Sequence, residues 1–73
     1  VSETIAPSGH FVQSLSRGLA VIRALDSPEP MTLSDVARAT ELSRATSRRL
    51  VLTLERLGYV QQSGGRFALT PRV

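Results

Sequence analysis

"LSRATSRRL", Leu42–Leu50, runs without a break into "VLTLERLGYV", Val51–Val60, and this junction decides the fold. Ser43 is placed to cap a helix, because a hydroxyl just ahead of the first turn accepts from amides that have no carbonyl partner. Leu50, Leu54 and Leu57 recur at steps of four and three, the period of an amphipathic helix. Gly58 supplies the left-handed residue that ends it. The stretch therefore predicts a helix from Arg44 to Leu57, with leucines in its second half and Arg44, Arg48 and Arg49 in its first.

Taking Leu50 as the centre of the buried face and advancing 100° per residue, Ser43, Ser47, Leu54 and Leu57 fall within about 60° of it. Arg48 then lies nearly opposite, at about 160°, and Arg49 near the edge, at about 100°. Leu52 also points outward on this wheel and calls for cover from a hairpin or a neighbouring helix. A helix anchored at its C-terminal half and charged at its free front suits the major groove of DNA, where the first residues of a recognition helix reach base edges. Arg44 and Arg48 are the expected base readers. Ala45 is small enough to let the backbone approach or to touch a thymine methyl, and Arg49 is the expected phosphate contact.

Upstream, Thr32 opens "TLSD", a hydroxyl followed three residues later by an acid, which resembles a capping box with Asp in place of Glu. A second helix is expected from Leu33 to Thr40, burying Leu33, Val36 and Ala37, with a short link through Glu41 and Leu42. Before it, Leu15, Leu19, Ile22 and Leu25 in "SLSRGLAVIRAL" mark a first helix, capped by Ser14 and stopped by "DSPEP", Asp26–Pro30. Val21 and Ala24 lie off this stripe, as plain surface or as a patch where a second copy docks. Residues 1–10 have no apolar periodicity and are expected to form a flexible arm. His10 has no partner at the spacing of a metal site or a catalytic triad.

Downstream, "YVQQSGGRFAL" reads as a hairpin, with arms Tyr59–Gln61 and Arg66–Leu69 around Ser63-Gly64-Gly65. Arg66 is placed to reach the DNA backbone or minor groove as a wing residue, while Gly64 and Gly65 serve turn geometry. The fold class is mainly α with a small β-hairpin: a winged helix-turn-helix of three helices plus wing, covering residues 11–70. The candidate DNA-contacting set is Thr32, Ser43, Arg44, Ala45, Thr46, Arg48, Arg49 and Arg66.

Composition agrees with this class. The chain has 73 residues and no cysteine, with 41% hydrophobic and 21% charged side chains. A domain of this size buries only about 60% of its unfolded surface, too little for most enzyme clefts. No apolar run approaches the roughly 18 residues that span a bilayer. All nine basic residues are arginine and the formal net charge is +3. Arginine offers a planar fork suited to phosphates and guanine edges, although GC-rich coding also favours it. No cofactor or metal is expected. With one histidine in the arm and no clustered carboxylates, an enzyme is excluded.

From Phe11 onward, "FVQSLSRGLAVIRAL", "MTLSDVARATELSRATSRRLVLTLERLGYV" and "GGRFALTPRV" together resemble the N-terminal DNA-binding domain of the IclR (isocitrate lyase regulator) family. The likeness is greatest to the branch controlling bacterial aromatic-acid catabolism through the β-ketoadipate pathway. The resemblance implies a cytoplasmic regulator acting as a homodimer or dimer of dimers on a palindromic or repeated double-stranded DNA operator. It also implies a C-terminal effector domain that binds a small molecule, with residues 71–73 as the start of the linker to it. Three positions depart from the family's usual pattern: Glu41 where glycine is common, Thr40 where an apolar residue is common, and Ser47 where a small apolar or β-branched residue points inward. Glu41 implies a turn without glycine's freedom or one that carries mild strain, and a buried Ser47 would need a hydrogen bond, for instance to a carbonyl one turn back. The alternative function is a winged-helix protein–protein interaction module. Such a module would show apolar or aromatic anchors at the front of the third helix, where this chain has arginine, alanine and hydroxyls.

Overall fold

The computed structural model describes residues 10–73; the first nine positions of the expected arm lie outside the described residues. Helix α1 spans Gln13–Leu25, strand β1 Met31–Thr32, helix α2 Leu33–Thr40, helix α3 Arg44–Leu57, strand β2 Val60–Ser63 and strand β3 Arg66–Leu69. The three helices and the hairpin follow the expected order. α2 and α3 have the expected bounds, and their caps are the expected ones.

Thr32 Oγ1 accepts from the Asp35 amide at 3.1 Å, and Asp35 Oδ2 accepts from the Thr32 amide at 3.1 Å, so the capping box closes with Asp as its acid. Ser43 Oγ accepts from the Thr46 amide at 3.0 Å, and Gly58 ends α3 at φ 95°. Helix α1 departs from expectation at its start. Its cap position is Val12, which has no side chain able to accept, and Ser14 lies inside the helix.

The sheet has three strands rather than two, in the order β1-β3-β2, with both pairings antiparallel. β1 is two residues long, too short to show alternation in the sequence, and it pairs Met31 with Phe67 and Thr32 with Arg66. The hairpin register also differs from the expected one. β2 runs to Ser63, which faces Arg66, so the turn is Gly64-Gly65 alone. Both glycines have positive φ, 60° and 78°, as the tight type I′ connection requires.

Val21, Leu25, Val36, Val51, Val60 and Phe67 form the buried core, with Met31, Leu33, Leu42, Leu50, Leu54 and Leu69 packed around it. Val21 is fully buried, so neither of its expected surface roles holds. Leu15 and Leu19, by contrast, face outward at 61% and 44% exposure. On the helical wheel they lie about 120° and 160° from Val21, so the expected stripe holds at Leu25, which is buried, and fails at Leu15 and Leu19. The expected inner face of α3 also holds only in part. Its buried pair is Ser47 and Val51, while Leu57 is 59% exposed and Leu52, expected to be covered, remains 36% exposed. Val21, Val36, Val51 and Ser47 are the fully buried side chains, while Leu33, Leu42, Leu50, Leu54 and Leu69 pack around them and stay partly exposed.

Candidate nucleic-acid interface

α3 presents its front to solvent. Ser43, Arg44, Ala45, Arg48 and Arg49 are exposed and Thr46 is half-buried. The Ser43 hydroxyl, besides capping, donates to Thr46 Oγ1 at 2.9 Å, which fixes both side chains at the helix tip. No acid stands in the first turn, so the partial positive charge of the helix N-terminus adds to that of Arg44. The arrangement suits an anionic partner whose surface admits a helix.

The observed burial rotates the wheel. With the centre midway between Ser47 and Val51, Arg49 lies about 180° away, Ala45 about 140°, and Arg48 about 80°. Arg48 and Arg49 therefore exchange the angular positions expected of them. Ala45 and Arg49, spaced four apart, form the outermost ridge and Arg48 lies beside it, while Arg44, about 40° from the buried centre, is exposed at the first position of the helix.

The turn ahead of α3 carries a backbone exception. Glu41 has φ 61°, and it is the one non-glycine residue with positive φ among the described residues. The turn thus keeps the left-handed geometry that glycine serves elsewhere, with a side chain that pays the steric cost. Thr40 satisfies its hydroxyl by donating to the Val36 carbonyl at 2.8 Å. Ser47 does not behave this way. It is fully buried, and its Oγ has no hydrogen-bond partner, contrary to the expected bond to a carbonyl one turn back. The Ser43 carbonyl one turn back is taken by the Ser47 amide at 2.9 Å.

Thr32 and Arg66 stand opposite one another across β1 and β3. Arg66 is exposed and immediately follows the glycine turn. Thr32 is half-buried, its hydroxyl committed to the cap. The hydrogen bonds from Thr32 hold the Asp35 carboxyl below its ordinary pKa; Arg38 and Arg66 add to this, and partial desolvation opposes it. Arg38, which the sequence reading did not single out, donates to Asp35 Oδ1 at 2.6 Å from the outer face of α2. Its signal in the sequence is the three-residue spacing from the capping acid. Among the described residues no group of His, Cys, Asp or Glu is arranged to hold a metal ion, and no helix is long and apolar enough to cross a membrane.

A short α2, a tight turn, an arginine-fronted α3 and a sheet-borne wing together define a winged helix-turn-helix domain of the DNA-binding class. Comparison with known proteins places it further. Residues 14–64 match the IclR helix-turn-helix domain, and the chain belongs to that family as the DNA-binding domain of a transcriptional regulator. It is 41% identical over 64 residues to the Pca regulon regulatory protein of Pseudomonas putida, covering 86% of this chain and 22% of that one. The Pca operon regulatory protein of Acinetobacter baylyi is 36% identical over 64 residues, covering 86% and 23%. Among solved structures, the IclR family transcriptional regulator from Brucella abortus superposes with a TM-score of 0.79 at 37% identity, covering 85% of this chain and 25% of that one. A candidate transcriptional regulator from Rhodococcus sp. RHA1 gives 0.80 at 63% identity, with the same coverage. The chain thus spans about a quarter of the length of these relatives, and they are regulators rather than enzymes.

Proposed function

We propose that this domain reads a palindromic or repeated operator, with α3 in the major groove, and that its parent regulator controls genes of aromatic-compound catabolism. The single observation that carries the reading is the ridge of Ala45 and Arg49 standing opposite the buried face of α3, with Arg48 beside it and Arg44 exposed at the helix tip. Ala45 and Arg49 face the base edges, and a guanidinium there matches the two acceptors of guanine. Arg44, Arg48, the Ser43 and Thr46 hydroxyls, Thr32 and the wing's Arg66 contact the phosphates that set register. The names of the Pca relatives support the aromatic assignment, and the absence of apolar anchors at the front of α3 argues against a protein-binding module.

Homodimerisation fits the outward stripe of Phe11 and Val12, just ahead of α1, and Leu15 and Leu19 on it, which continues toward Leu50 and Leu54 of α3. Gly18 lies within it, and a Cβ there would meet nothing within 4 Å, so another backbone can come close. A C-terminal effector domain binding a small molecule, reached through a linker starting at residues 71–73, and a cytoplasmic location complete the reading, in keeping with relatives four times longer.

The test is a salt series of fluorescence-anisotropy binding to a pool of random duplexes, with sequencing of the retained fraction. An enriched inverted or direct repeat is expected. Arg49→Ala should relax discrimination at one position by about 1–3 kcal/mol. Arg48→Ala should weaken binding to all sequences and flatten the salt dependence by about one unit of slope. Identical behaviour of the two variants on selected and scrambled duplexes would refute the division of roles, and a retained fraction with no enriched sequence would refute operator reading.

A further inference from the structure

We infer that Arg38 of α2 and Arg66 of the wing form a two-arginine clamp for a DNA phosphate, in the cleft between α2 and the sheet, and that Asp35 is its positioning residue. The inference rests on the DNA-binding function proposed above and gives its Arg66 phosphate contact a partner arginine on α2. The cleft is lined by Arg38, Asp35 and Ala39 of α2, by Arg66 of β3, and by Met31 and Pro30 at the start of the sheet. Two guanidinium groups from different elements therefore open on one concave surface.

Their bonding leaves them available. Arg38 gives one nitrogen, Nη2, to Asp35 Oδ1 and is otherwise 74% exposed, with most of the five N–H donors of its fork unspent. Arg66 makes no ion pair with any described residue. An exposed ion pair three residues apart contributes little to stability, so the Asp35–Arg38 pair is better explained by what it orients. Asp35 suits that role because its other oxygen is pinned by the Thr32 amide, and Thr32 itself pairs with Arg66 across the sheet. The carboxylate is thus tied through Thr32 to the strand that pairs with the one bearing Arg66, and is bonded directly to Arg38. Small Ala39 leaves the floor open. Ser27 and Glu29 complete the lining, with the Glu29 amide donating to the Ser27 hydroxyl.

The clamp makes a prediction of sign. Removing a negative charge from a surface that meets a polyanion ordinarily tightens binding. If Asp35 orients the two arginines, Asp35→Asn must weaken it, even though the amide oxygen can still accept from Thr32. The experiment is anisotropy binding of the 73-residue chain to a random-sequence duplex across a salt series, for wild type, Arg38→Ala, Arg66→Ala, Asp35→Asn and Arg48→Ala, with thermal melts of each.

Arg38→Ala and Arg66→Ala should each lose on the order of threefold to tenfold in affinity at physiological salt and flatten the salt slope by about one unit. Asp35→Asn should lose about twofold or more in affinity. Arg38→Ala binding like wild type, or Asp35→Asn binding more tightly, overturns the clamp. Should Asp35→Asn melt early, Arg38→Gln carries the test with the capping box intact. The two readings fail differently: a wild type that binds no duplex refutes the DNA-binding function, whereas intact binding with a deficit in Arg48→Ala alone refutes the clamp.

Discussion

Replacing Ser47 with alanine should make this domain more stable. The side chain is fully buried, and its hydroxyl has no partner, whereas Thr53 and Thr40, also in helices, donate to carbonyls four residues back at 2.7 and 2.8 Å. A buried hydroxyl without a partner costs about 1–3 kcal/mol relative to its hydrated state. Alanine removes that cost and adds about 0.5 kcal/mol of helix propensity. Against this stands the void left by one oxygen, worth a few tenths of a kcal/mol by the scaling of cavity cost with volume, about 24 cal/mol per Å³. The net gain is about 1–2 kcal/mol. For a domain of this size each kcal/mol shifts the melting temperature by about 4–8 °C, so Ser47→Ala should melt roughly 5–15 °C higher. Thermal and urea unfolding followed by circular dichroism would measure this, with an unchanged urea slope showing that both end states keep their compactness. A loss of 1 kcal/mol or more would refute the reasoning, because it would mean that the hydroxyl is bonded in solution.

Glu41→Gly should also stabilise, by about 0.5–1 kcal/mol, as relief of about 1–2 kcal/mol of left-handed strain is partly offset by glycine's larger unfolded-state entropy; an unchanged or lower urea midpoint would show that the turn is not strained. Asp35 gives a pH dependence of definite sign. Its folded pKa is depressed, so its stabilising contribution is present above the unfolded value, about 4, and disappears as pH falls through the lower folded value. The stability difference between wild type and Asp35→Asn should therefore shrink below about pH 4, and a difference that stays constant down to pH 2 would contradict the capping role.

The elements of this fold were legible in the sequence because its punctuation is local. Thr32, Ser43 and Gly58 each act on amides or carbonyls within a few residues, so their roles can be read without knowing what packs on what. The inner face of each helix is a tertiary property, and there the reading by leucines held only in part. α1 turns Val21 inward and Leu19 outward; α3 buries Ser47 as expected but adds Val51 and leaves Leu57 exposed. In so small a domain the core has few places, and the fully buried ones are held by Val21, Val36, Val51 and Ser47. The shift carried into the candidate interface, since a buried face centred between Ser47 and Val51 puts Arg49 at the outermost position. β1 and the cleft holding Arg38 were invisible for a related reason: a two-residue strand exists only through its partner, and Arg38 meets Arg66 only once the sheet has formed.

Thr32 belongs at once to the sheet and to the start of α2: it is the last residue of β1, a neighbour of Arg66, and the cap whose hydroxyl holds the Asp35 amide. A wing attached to its body by the hairpin alone would swing like a flap and would lose that freedom each time it met a ligand. Here, peeling β3 from β1 must also disturb the first turn of α2, so hinge motion of the wing is coupled to fraying of a helix. The wing therefore meets its target with its angle already set, and little orientational entropy remains to be lost on contact. In hydrogen exchange, the amides of Asp35 and of β3 should open together as one unit.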